Sequence, residues 1–181
     1  DALFPEGHPY RHSTIGSMAD LDSASLEDVR QWFRDNYGPN NAVLVLSGDI
    51  NVAEARPLVE RYFGGLPRGR QNVPAAADVP TLAAPINEVL HDRVANTRIE
   101  RTWVVPGQGS EDEVDLAIAA SVLGGLNSSR RDRILVRDEQ TAVAVTSTLQ
   151  PFQRISFFSV TVDVKPGEDA DAVTRRLDEI M

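Results

Sequence analysis

The sequence predicts an α+β fold, a mixed sheet with helices on one side. Two observations carry that prediction. Helical and strand periodicities fall into an α-β-α opening followed by a β-β-α-α-β-β-α order. A proline- and alanine-rich stretch, with Pro67, Pro74, Pro80 and Pro85, separates the two. The expected organisation is 1–66, a linker over 67–85, and a second α+β half over 86–181.

Residues 1–22 read as irregular, because Pro5, Gly7, Pro9 and Gly16 interrupt any period. A helix begins near Ser25, where Asp28 three residues on gives a capping-box-like start. Leu26, Val29, Phe33 and Tyr37 share its apolar stripe, and Gly38-Pro39 ends it. Ala42–Leu46 is an unbroken apolar run and reads as a strand buried on both faces. Asn51 with Glu54 signals a second helix carrying Val52, Ala55, Val59, Tyr62 and Phe63 up to Gly64-Gly65. Pro57 inside it removes a backbone donor and predicts a kink or local fraying.

After the linker, Ile86–Val94 and Arg98–Val105 alternate as strands around a turn at 95–97. Glu111–Leu123 is a helix with Val114, Ile118 and Val122 on one stripe, stopped by Gly124-Gly125. Ser128 or Ser129 caps a following helix that contains Ile134, Leu135 and Arg137. Ala142–Leu149 and Ile155–Val164 are strands turned by Gln150-Pro151. A last helix starts near Asp169 with acids in its first turn.

Composition narrows the chemistry. The net charge of −9 argues against nucleic acid or an anionic membrane as partner, since phosphate binding wants a basic footprint. No apolar run reaches the ~18 residues of a membrane span. With no cysteine there is no disulfide, thiolate metal site or cysteine nucleophile. Imidazole chemistry rests on His8, His12 and His91. His8 and His12 are four apart, the spacing of metal ligands on a helix. Pro9 pushes His8 toward extended geometry, so the favoured reading is a loop anchored by His8, Pro9 and Tyr10. His91-Asp92 reads as a surface pair. The Gly124-Gly125-Leu126-Asn127-Ser128-Ser129-Arg130 turn reads as structural, with backbone amides offered to an anion as the alternative. There is no P-loop, dinucleotide fingerprint or Gly-x-Ser-x-Gly elbow. Lys165 is the lone lysine among 18 basic residues. Arg130, Arg131, Arg133 and Arg137 cluster beside Asp132, Asp138 and Glu139, and charge balance is their favoured role over carboxylate recognition.

Taken in order, several short motifs resemble one family. His8-Pro9-Tyr10, Gly16, Ser25-Leu26-Glu27-Asp28-Val29, Tyr37-Gly38-Pro39-Asn40-Asn41-Ala42, Gly48-Asp49 and Arg61-Tyr62-Phe63-Gly64 look like the stretch that follows the zinc-binding region of pitrilysin/insulinase-like metallopeptidases. Leu123-Gly124-Gly125, Ser128-Ser129-Arg130 and Leu135-Val136-Arg137 resemble later segments of the same family. The resemblance implies a mostly antiparallel sheet packed by helices. It implies homologous domains or subunits in pairs that close on an unfolded peptide, held partly as an added strand. One domain of the pair supplies His-x-x-Glu-His, a distant Glu ligand, and a general base acting on zinc-bound water.

This chain contains no His-x-x-Glu-His. The resemblance therefore assigns it no catalytic and no metal-ligating residue. Zinc is expected in the parent protein and not in this chain. Arg137 matches a family arginine near the scissile bond, with Ala144 where some members place a tyrosine, so Arg137 is the candidate substrate-binding residue. The chain lacks an initiator Met and ends within a helical pattern at Met181, and both ends read as cut. The expectation is a piece of a zinc-dependent metalloendopeptidase, inactive alone and prone to self-association through uncovered apolar surface. The alternative is a non-catalytic member acting as scaffold or substrate-binding partner.

Overall fold

The computed structural model describes residues 2–126 and 128–181. The chain forms two compact units, Asp1–Arg11 with Ala76–Met181, and His12–Ala75.

The first unit is built on a three-stranded sheet of order β1-β3-β2, with β1 Arg98–Pro106, β2 Ala142–Pro151 and β3 Ile155–Val164. Both pairings are antiparallel, so the sheet is antiparallel throughout. From Ser156 onward the central β3 alternates. Phe158, Val160, Val162 and Val164 are buried, and Phe157, Ser159, Thr161 and Asp163 are partly exposed. β-Branched side chains suit that pleated, half-buried surface. The buried face carries the core, where Val145 of β2 and the β3 side chains meet Ala120, Leu135, Val173 and Leu177.

Helices cover that face. Helix α4 (Glu113–Ala120) continues as a π-helical turn, Ser121–Gly125. A second π-helical segment spans Asp132–Asp138, where Glu139 N–H reaches back five residues to the Ile134 carbonyl at 2.8 Å. Gln140 then takes a left-handed φ of 54°, which turns the chain into β2. The last helix, Ala170–Glu179, starts where the Asp169 side chain accepts from Asp171 N–H, and buries Val173 and Leu177 one turn apart. Arg101–Asp178 and Arg176–Glu139 ion pairs tie this helix to β1 and to the end of the second π-helical segment.

The second unit holds short α1 (Met18–Ser23), α2 (Leu26–Asn36), a 3₁₀ turn (Pro39–Asn41) and α3 (Val52–Phe63). The expected caps are present. Ser25 and Asp28 form a reciprocal capping box, and the Asn51 side chain accepts from Glu54 N–H. Asn40 Oδ1 accepts from Gly69 N–H at 2.7 Å, closing the loop after α3 onto the 3₁₀ turn. Helix α3 runs on through Pro57.

Three expectations are corrected. Ala42 is extended, but Ala42–Leu46 forms no ladder, because no described strand lies beside it to exchange hydrogen bonds. Ile86–Val94 is likewise unpaired, with Val89, Leu90 and Val94 exposed; β1 begins only at Arg98, where β3 offers a partner. The opening stretch contains α1, whose Ser17 cap and Asp20 lie within the segment read as irregular. The π-helical turns were not legible, since their signal is a changed hydrogen-bond register rather than a changed apolar pattern.

Candidate functional site

The π-helical turn after α4 delivers Gly124 against the middle of β2. A Cβ there would lie 2.8 Å from Ser147 N and 3.1 Å from Ser147 Oγ, so only glycine allows this approach. Packing is therefore the role of Gly124. Asn127 of the same turn lies outside the described residues. Ser129 Oγ accepts from Asp132 N–H at 3.4 Å, and Ser129 is the expected cap.

Two residues further, Arg131 is fully buried. Its Nη1 donates to Ser147 Oγ at 3.3 Å, while Nε and Nη2 have no partner in the structure. Burial, and then the positive charges of Arg101 and Arg130, push its guanidinium below the ordinary arginine value. The sequence reading grouped Arg131 with its charged neighbours and missed this placement. A signal was available, for Arg131 stands four residues before Leu135, the residue buried on the core side of the same segment.

Two other arginines of the cluster balance charge. Arg137 Nε meets Asp132 Oδ2 at 3.1 Å, and Arg133 meets Asp138 at 3.6 Å. Arg137 is half-exposed, with its partner Asp132 largely covered, so a carboxylate fixes the guanidinium at the rim of the segment. Ala144 sits on β2 opposite Asp163, just past a bulge at Ala142/Ala144. Arg176 is held by Glu139 and Glu179, whose hydrogen bonds raise it above its ordinary value.

His8 belongs to a strap, residues 2–11, on the sheet face opposite the helices. Phe4, 7% exposed, stacks on His8 with ring centroids 4.7 Å apart and meets Phe157 edge-on at 5.9 Å. Tyr10 packs on Phe152 at 6.1 Å, and its hydroxyl accepts from Arg154 N–H at 3.3 Å. His8 Nδ1 accepts from Tyr10 N–H at 3.2 Å and Nε2 donates to the Asp78 carbonyl at 3.0 Å. Both ring nitrogens are thus engaged in anchoring, as the loop reading expected. Among the described residues no three or more His, Asp or Glu side chains gather as a metal-binding group. These residues do not fit a zinc ion.

Known proteins place this architecture. Residues 23–181 match the family model described as the peptidase M16 inactive domain. The chain belongs to the M16 peptidase family. The zinc protease PqqE of Helicobacter pylori is 25% identical over 176 residues, which are 94% of this chain and 39% of that protein. An uncharacterised zinc protease of Mycobacterium leprae is 28% identical over 95% of this chain and 39% of its own length. The crystal structure of a peptidase M16 inactive domain from Pseudomonas fluorescens superposes with a TM-score of 0.68 at 16% identity, covering 98% of this chain and 43% of that one. That likeness shows the α+β fold. The chain spans about two fifths of the length of the zinc proteases it matches. No helix among the described residues is long and apolar enough to cross a membrane.

Proposed function

We propose that these 181 residues are part of a zinc-dependent metalloendopeptidase, supplying fold and peptide-contacting surface while the zinc ligands lie elsewhere in the longer polypeptide. The observation that carries this reading is M16 membership over 23–181 in a chain that has no His-x-x-Glu-His and whose His8 is spent on anchoring. The organisation into 1–66, a linker over 67–85 and 86–181 is kept as part of the proposal. Arg137 meets the bound peptide, its guanidinium oriented by Asp132 and donating to a peptide carbonyl or carboxylate. Ala144 adds no hydrogen bond there. A paired homologous domain or subunit closes over the peptide, which lies extended along a sheet edge. In isolation the chain associates with its own copies through uncovered apolar surface, which light scattering at rising concentration reads.

The coding sequence on either side tests the reading. It is expected to hold His-x-x-Glu-His and a distant Glu, and the longer protein is expected to cleave peptides, to lose activity to a chelator and to regain it with zinc. The 181-residue chain alone is expected to cleave nothing and to carry no stoichiometric zinc. One tightly bound zinc per chain, lost on changing His8 and His12, overturns that. In the longer protein, Arg137→Ala is expected to raise KM for peptide roughly tenfold with kcat little changed, the signature of lost uniform binding. The description of the matching model as an inactive domain favours a second reading, a non-catalytic scaffold or substrate-binding partner. Peptide binding without cleavage, in a longer protein that lacks the motif, selects it.

A further inference from the structure

Helix α4 and the π-helical turn after it present an uncovered apolar face. Val114, Ile118 and Val122, each four residues on from the last, are 66%, 57% and 53% exposed, and Leu126 just beyond the turn is 59% exposed. They wall an open depression of about 460 Å³ that the small residues Ala117 and Ser121 also line. Ser121 Oγ–H donates to the Ala117 carbonyl at 3.0 Å, so covering this serine strands no donor. The two ends of the depression carry opposite charge. Glu113 lines its start, with Glu111, Asp112 and Asp115 exposed around it. At the far end Ser129 N–H donates to the Leu126 carbonyl at 2.8 Å, which brings the exposed Arg130 to the rim beside Leu126.

We propose that this face docks a second copy of the chain, α4 against α4, antiparallel about a two-fold axis. The occupant follows from the way the face complements itself. With the axis midway between Ile118 and Ser121, Ile118 meets the partner's Ser121 and Ala117 meets the partner's Val122. Val114 lies over the partner's Gly125 at the other end. Large side chains therefore fall opposite small ones, which lets the helices approach closely, and the two-fold axis makes each contact twice. The same antiparallel setting brings Glu113 and its acidic neighbours to the partner's Arg130. Parallel packing would instead stack Val114 on Val114 and set acid against acid. One helix face is a small interface, so the dimer is weak and grows in with concentration.

This contact rests on the reading above that the isolated chain associates with its own copies, and it names the surface they use. The chain has no cysteine, so every disulfide formed by introduced cysteines is assigned without ambiguity. Ala117→Cys and Val122→Cys chains are mixed and oxidised mildly, at concentrations where light scattering shows association. The mixed disulfide is expected to form at least about tenfold faster than the disulfide of Val114→Cys chains alone, because a disulfide needs Cα atoms within about 7 Å. Across the axis the two Val114 positions lie about 16 Å apart along the helices, from the helical rise of about 1.5 Å per residue. Ile118→Glu sets two carboxylates beside the axis and is expected to weaken the dimer at least about tenfold in sedimentation, with the sheet signal unchanged. Cross-linking of Val114→Cys chains that is as fast or faster overturns the antiparallel contact. Association without the mixed disulfide, or unchanged by Ile118→Glu, overturns the face and leaves self-association standing. A monomer at every concentration removes self-association itself, and the contact with it.

Discussion

Arg131 buries a guanidinium against the sheet with one side-chain hydrogen bond, to Ser147, and no counter-ion among the described residues. An ion stripped of water and left unpaired opposes folding, and replacing it with an apolar side chain of similar length removes that penalty. Arg131→Met is therefore expected to stabilise the first unit by roughly 1–4 kcal/mol, read from the urea midpoint of its sheet signal. A lower midpoint would mean that Arg131 has a partner. Gly124 is the opposite case. A methyl there meets backbone at 2.8 Å, and backbone cannot swing aside, so Gly124→Ala is expected to cost about 1–3 kcal/mol in the same measurement. At this scale the sequence was partly legible. The Gly124-Gly125 pair announced a tight turn, and the acids beside Arg133 and Arg137 announced charge balance. Arg131 was hidden because its class, a charged residue in an arginine cluster, outweighed its position four before Leu135.

Element ends were the most legible part of the fold, since caps are written in two or three residues. The Ser25–Asp28 box illustrates why. Ser25 Oγ–H donates to Asp28 Oδ2 at 2.6 Å and Ser25 N–H donates to the same oxygen at 2.9 Å. These bonds hold the Asp28 carboxyl below its ordinary aspartate value. A depressed folded value means the cap's contribution is present above the unfolded pKa and disappears as pH falls through the lower folded one. The first turn of α2 is thus expected to stay formed at neutral pH and to fray only below the ordinary aspartate range of about 4, followed by the Cα shifts of residues 25–29. Asp28→Asn should remove that acid step. The strap makes a second prediction. Tyr10→Phe removes one hydrogen bond, about 1 kcal/mol, and leaves the strap docked; Phe4→Ala opens a buried aromatic site and should release residues 2–11 to proteases at Arg11. Strands were less legible than caps. Alternation or an apolar run says that a segment can be a strand, and a partner decides whether it is one. Ile155–Val164 found two partners, whereas Ala42–Leu46 and Ile86–Val94 found none.

The two units differ in what holds them, and the chain carries a reporter in each. The first unit has a core of buried residues from Ala120 to Leu177, whose Val, Leu and Phe side chains each contribute roughly 1.5–3 kcal/mol of gross apolar burial against chain entropy. The second has capped helices and no buried apolar side chain, and capped helices of 11 and 12 residues are marginal in water without packing. The two tryptophans of the chain are divided between them. Trp32 on α2 lies among Phe33 and Tyr37, with ring centroids 5.7 and 5.4 Å away, and Trp103 on β1 meets Phe158 edge-on at 6.0 Å. Trp103→Phe leaves fluorescence that follows the second unit, and Trp32→Phe leaves fluorescence that follows the first. In urea the Trp32 signal is expected to drift from the lowest concentrations with a shallow slope, below about 1 kcal/mol/M, because little surface is exposed on unfolding it. The Trp103 signal is expected to give a later sigmoidal transition with a slope of about 1–3 kcal/mol/M. Coincident transitions would show that the 181 residues fold as one cooperative body.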